Sequence, residues 1–225
     1  MSAIVAGAAL VVSGCSAGPV KMGAAATTTS QRITIAALDT QVTSLSQAVK
    51  RYPGIISMSP AQQTQQALTW LVRFQINEEL ARQAGITVSA VQADAALRAT
   101  YAAARAQAAA AGVTNASPDL ILAANGIPPD LATELGRYQA INAQYVKNAN
   151  GGTLPTSTAA QASTTAQLQH ATCLAAKSLQ IQVNPQFGQM DYSQYPYQVV
   201  SAPSPVSRTP GPAPTTSPSG QTPVC

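Results

Sequence analysis

Apolar positions recur at helical spacing along the middle of this chain. Leu38, Val42, Leu45 and Val49 fall three or four residues apart and line one face of a helix. Thr34 stands ahead of them as a cap, and Pro53-Gly54 ends the run. At Ser59–Gln62, "SPAQ" combines an N-cap serine, a proline suited to the first helical position and a glutamine at capping-box spacing. Leu68, Leu71, Val72, Ile76 and Leu80 then form a long stripe, with Trp70 and Phe74 on its flank and Gly85 as the stop. Ser89 and Gln92 repeat the capping box, and a third helix runs through Val91, Leu97 and Tyr101 into an alanine-rich stretch ending at Gly112. Ser117-Pro118 opens a short helix that stops near Gly126. Pro128-Pro129-Asp130 opens another, carrying Leu131, Leu135, Tyr138, Ile141 and Tyr145 to the break at Asn150-Gly151-Gly152. A last helix is expected over about Thr164–Ser178.

The pattern changes period at the two ends of this body. Arg32–Ile35 is short and β-like. Leu179, Ile181 and Val183 alternate with polar residues until Asn184-Pro185. The expected fold is mainly α, with a small two-stranded β element that joins the N- and C-terminal ends of a helical domain.

Outside the body the pattern is not periodic. Ala3–Val12 is uninterrupted apolar sequence, about half the length that spans a bilayer and suited to the h-region of an export signal. It leads into Val12-Ser13-Gly14-Cys15, and Cys15 is either the end of a buried helix or the first residue of the finished protein. Ser16–Ser30, rich in Ala, Gly and Thr, reads as a flexible tether. From Ser201 on, Pro, Ser and Thr dominate, a composition that buries too little apolar area to offset its ordering entropy. The expected organisation is a signal over 1–14, a tether over 15–30, a helical domain over 31–200 and a tail over 201–225.

Composition narrows the chemistry. Only 9% of the 225 residues are charged and 4% aromatic, while 46% are hydrophobic, much of that alanine. Any core therefore rests on few large side chains. The formal charge is +4, but Arg32, Lys50, Arg51, Arg73, Arg82, Arg98, Arg105 and Arg137 form no block and no aromatics interleave with them. No nucleic-acid groove is expected. The one histidine, His170, has no evident nucleophile or orienting carboxylate. Glu78 and Glu79 are neighbours on a helix, about 100° apart, and read as solvated rather than as a carboxylate pair. No P-loop, GxGxxG or HExxH is present, so no catalytic residue, metal site or cofactor is expected. Cys173 and Cys225 are left either to pair in an oxidising compartment or to stay free. Trp70, Phe74, Tyr101, Tyr138 and Tyr145 are the large groups available to bind a client polypeptide; the competing reading makes them this domain's own core.

Two resemblances add to this reading. Val12–Cys15 at the end of an apolar run resembles the lipobox of bacterial lipoproteins, although no Lys or Arg precedes it. That resemblance implies cleavage before Cys15, lipidation of its sulfur and anchoring on the outer face of the cell membrane. Further on, Ile33-Thr34 opening a helix, then Leu80-Ala81, Gly85-Ile86, Val88-Ser89 and Asp94, and finally "VNPQFGQMD" at Val183–Asp191, resemble in order the N-terminal chaperone domain of SurA-like and PrsA-like exported foldases. Ser30-Gln31 replace the glycine turn common there. The parvulin isomerase module has no room, because only about 45 residues separate Gly112 from Thr158 and they read as helical. The resemblance implies a chaperone-like lipoprotein that binds unfolded exported polypeptides without catalysis. The alternative is a structural or adaptor lipoprotein for one cell-envelope partner.

Overall fold

A computed structural model of the chain describes residues 23–193, 195–202 and 225. The segment read as a signal, Cys15, most of the tether and residues 203–224 of the tail lie outside these residues. Among the described residues six helices and five short strands form, in the order β1 (Ala24–Thr27), β2 (Arg32–Thr34), α1 (Ile35–Arg51), α2 (Pro60–Gln83), α3 (Ala90–Ala110), α4 (Pro118–Ala124), α5 (Ala132–Ala149), α6 (Thr158–Leu179), β3 (Gln182–Val183), β4 (Gln189–Asp191) and β5 (Gln198–Val200). A single 3₁₀ turn, Pro129–Leu131, leads into α5. The mainly helical class with a small antiparallel strand element holds.

Local chemistry sets the helix starts. Thr34 Oγ1 accepts from Ala37 N at 3.0 Å to open α1. Ser59 and Ser89 each close a complete capping box with Gln62 and Gln92. Ser117 and Ser157 cap α4 and α6. The last of these places the start of α6 at Thr158, six residues ahead of the expected Thr164. The Thr/Ser/Ala run before Thr164 carries little apolar pattern, and its serine cap is what starts the helix.

The strand element differs from the expectation. The two stretches read as strands do not pair with each other. Both pair antiparallel with β1, which takes the middle of a three-stranded sheet of order β2-β1-β3. Ala26 faces Ile33 on one side and Val183 on the other, and Thr27 faces Arg32 and Gln182. β1 falls inside the stretch read as a flexible tether. Alanine is a poor strand former by composition, but Ala24, Ala25 and Ala26 have no exposed surface at all, and a strand flanked on both edges and packed over a helix needs such small side chains. Asn184 reinforces it, donating from N to Ala25 O at 2.9 Å and from Nδ2 to Ala24 O at 3.2 Å. A second antiparallel pair, β4 with β5, follows beyond the expected end of the apolar pattern.

α2 is the axis of the domain. Leu68, Val72, Ile76 and Leu80, spaced by four, pack with Leu38 of α1, Cys173 and Leu179 of α6, Ala25 and Ala26 of β1, and Met190, Tyr197 and Val199 of the C-terminal hairpin. On another side Phe74 packs with Leu122, Ile127, Leu131 and Leu135. Leu45, Ala48 and Ile56 meet α4 through Leu120 and Ile121. α3 crosses α5 closely enough that a Cβ on Gly136 would lie 2.6 Å from Ala93 O. Among the described residues, no helix is long and apolar enough to cross a membrane.

Candidate functional site

Trp70, Arg73, Phe74 and Asn77 stand at i, i+3, i+4 and i+7 on α2 and so share one face. Opposite them, α5 supplies Tyr138 and, one turn on, Asn142. The Trp70, Phe74 and Tyr138 rings form a triangle. Centroids lie 5.7 Å apart for Trp70 and Phe74, 6.1 Å for Trp70 and Tyr138, and 5.9 Å for Phe74 and Tyr138, and both Tyr138 contacts are edge-on. Phe74 is buried, while Trp70 and Tyr138 keep part of their surface open.

The C-terminal hairpin lies along this face. Val199 N donates to the buried Thr69 Oγ1 at 2.8 Å, and Gln65 Nε2 donates to Ser201 Oγ at 2.7 Å. Tyr195 and Tyr197 stack edge-on at 6.0 Å, and Tyr192 meets Tyr197 at 5.2 Å. The Tyr195-Pro196 bond between them is cis.

Arg73 joins the two halves. Its Nε donates to Tyr197 O at 2.7 Å and its Nη2 to Pro196 O at 3.2 Å, while the guanidinium sits 4.9 Å over the Trp70 ring. Burial lowers its pKa from the ordinary value, though an arginine stays charged throughout the working range. All eight acidic residues of the chain are described, and none of the ion pairs they form involves Arg73. Two carbonyls and an aromatic face are the compensation for this cation. Burial also pushes the Tyr195 and Tyr192 phenols up to about 12, so both are neutral hydroxyls at physiological pH.

Between these groups runs a narrow cleft lined by Arg73, Asn77, Tyr138, Thr172, Tyr195 and Pro196, with about 280 Å³ of empty space including its open mouth. Asn77 is 4% exposed. Its Nδ2 donates to Asn142 Oδ1 at 2.7 Å, and its Oδ1 is buried with no partner. Trp70 Nε1 is likewise buried and unpartnered. Thr172 is followed on α6 by Cys173, whose sulfur is bonded to that of Cys225, with Cα atoms 5.7 Å apart.

Of the five aromatics singled out from the sequence, three therefore meet. Tyr101 packs between the α4 cluster and the Phe74 cluster but makes no ring pair with the triangle. Tyr145 lies two turns beyond Tyr138 against two other clusters, its hydroxyl donating to Gln167 O at 3.4 Å. His170 is exposed on α6, and the described residues hold no group of three potential metal ligands. The two glutamates are not simply solvated. Glu78 pairs with Arg137, whose Nη2 donates to Oε2 at 2.8 Å. Glu79 accepts from Arg82, Gln83 and Ser178, and these bonds, Arg82 foremost, hold its pKa down at about 2.

Arg73, Asn77, Asn142, Thr172 and Tyr195 escaped the sequence reading. The signal for the first two was present: an arginine and an asparagine set at helical spacing from the sole tryptophan, within an apolar stripe. Tyr195 arrives from far along the chain and carries no such signal. No protein-family model, curated protein or solved structure matches the chain.

Proposed function

We propose that the chain is a membrane-anchored, extracytoplasmic lipoprotein that binds unfolded or partly folded exported polypeptides and holds them without catalysis, in the manner of the SurA-like and PrsA-like chaperone domains it resembles. The observation that carries this reading is the half-open shelf of Trp70, Tyr138 and Tyr195 with Arg73 laid across it. Tryptophan, tyrosine and arginine are the residues that dominate polypeptide binding, because each offers a large rigid surface with a polar edge. The Cys173–Cys225 bond supports a location outside the cytosol, since such bonds persist in oxidising compartments. Anchoring rests on lipidation at Cys15, where two or more long acyl chains hold a protein durably on a bilayer.

The test is suppression of aggregation by residues 16–225, which keep β1; a fragment starting at residue 31 would lose the central strand. A denatured client should stay soluble at near-stoichiometric ratio. Unchanged aggregation at several-fold excess defeats the holding reading. Intact-mass analysis of membrane-extracted protein reads cleavage and acylation at Cys15 directly.

One observation favours a second reading, an adaptor lipoprotein for a single cell-envelope partner. Phe74 and much of Trp70 and Tyr138 are spent on the domain's own core, and the large apolar side chains most exposed among the described residues, Ile55, Val91, Leu154 and Leu174, are scattered. A narrow cleft suits one partner better than many. Crosslinking from membranes should then recover one dominant protein instead of a mixture.

A further inference from the structure

Gly23 and Ala24 mark the point where the N-terminal chain enters the domain, and the three-stranded sheet fixes what surrounds it. β1 is central and antiparallel to both neighbours, so β2 and β3 both finish beside the place where β1 starts. There β2 passes into α1, and Ile35 N donates to Gly23 O at 2.9 Å. β3 passes into the turn at 184–187, where Asn184 donates to Ala25 O and Ala24 O. Gln186 N and Phe187 N donate in turn to Asn184 Oδ1 and O. The entry point is therefore framed by hydrogen bonds on both sides. Ala36, Pro185 and Gln186 are exposed beside it, and Ile35 and Phe187 are half-buried. None of the five is charged.

Cys15 stands eight residues before Gly23. Fully extended, that stretch reaches at most about 28 Å, whereas a domain of this length is about 40 Å across. With the Cys15 sulfur fixed at a bilayer, the chain is too short to let the domain turn its opposite side to the lipid. We infer that the surface framed by Ile35, Ala36 and the 184–187 turn is the one that the anchored protein lays toward the bilayer. This deepens the lipoprotein reading and rests on it for the anchor. Charge favours the same contact. Lys21 and Arg32 lie between Cys15 and Asp39, the first acidic residue that follows it, and anionic headgroups attract such cations by about 1 kcal/mol each close to the surface. The uncharged side chains at the entry point approach headgroups without the cost of stripping water from an ion. α1 leads away from this surface over 17 residues, about 25 Å. Beyond its far end Ile55 is 60% exposed.

Ile35 and Ile55 thus report on the two ends. The experiment takes residues 15–225 with the Cys173–Cys225 bond intact and couples the Cys15 thiol to a maleimide lipid. The lipid sits in nanodiscs of phosphatidylcholine and phosphatidylglycerol doped with a gadolinium-chelating lipid, and isoleucine methyl resonances are recorded. The Ile35 signal should be lost while the Ile55 signal persists. Equal attenuation of the two overturns the inference, as does loss of Ile55 with Ile35 retained. A chain lengthened by a glycine–serine insert after Ser16 separates the causes. Loss of the preference assigns it to the short reach, and its survival assigns it to attraction between this surface and the headgroups; both support the inference. The coupling supplies the anchor, so the geometry is read independently of natural lipidation. An unacylated Cys15 in the membrane-extracted protein breaks the lipoprotein reading even where the coupled chain keeps its preferred face.

Discussion

α2 and α3 begin with the same device and end as opposites. Each opens on a serine–glutamine capping box and runs for more than five turns. Yet ten residues of α2 are buried, on every side of it, while α3 buries only Ala93. α2 even takes Gln63, Thr69 and Asn77 inside, Gln63 donating to Met58 O and Thr69 accepting from Val199 N. α3 is favoured locally by its alanines and rests on its neighbours through half-buried side chains such as Leu97 and Tyr101. α2 stands because the domain is built around it. Caps and propensity start a helix; tertiary burial decides how much of the fold depends on it.

The contrast has measurable edges. Truncating Ile76 to Ala on α2 should cost about 2–5 kcal/mol in urea unfolding, whereas Ala99→Gly on the exposed face of α3 should cost about 1 kcal/mol. Equal losses would erase the distinction. Gly136→Ala probes a place where α3 and α5 approach closely. The added methyl meets Ala93 O, and overpacking of this kind costs about 1–3 kcal/mol. Hydrogen exchange should then rise across α3 and the facing turns of α5 while α2 stays protected. Ser59→Ala and Ser89→Ala remove equivalent caps, each for about 1 kcal/mol. The first should lower the global midpoint, and the second should show mainly as local exchange at the start of α3.

The smallest effect is electrostatic. Glu79 links α2 to Ser178 of α6 and has its pKa held near 2 against an ordinary 4.5. Its contribution is complete above pH 4.5 and fades as the carboxylate is protonated toward pH 2. The exposure of its main partner, Arg82, keeps it to about 1 kcal/mol. Glu79→Gln should flatten that part of the stability–pH curve and leave stability at pH 7 only slightly lower.

The helices were legible in the amino-acid sequence because their starts are chemical. Thr34, Ser59, Ser89 and Ser117 are read directly as caps, and each accepts the expected amide. The sheet was only half legible. Ile33 and Val183 carry strand character in themselves, but Ala24–Ala26 become a strand through partners such as those of Ala26, 7 and 157 residues away, and no local pattern announces such pairing. The candidate site divides in the same way. Trp70, Phe74 and Tyr138 could be proposed from residue type. That Arg73 lacks a carboxylate, and that Asn77 lacks a donor, are facts about what surrounds them in space.

The bond between Cys173 and Cys225, 52 positions apart, closes the intervening chain into a ring. A protease that nicks this ring once severs the backbone without releasing either piece. On a non-reducing gel the nicked protein should run as one band, and a thiol reductant should split it in two. One peptide bond inside the loop can thus be lost without the molecule coming apart.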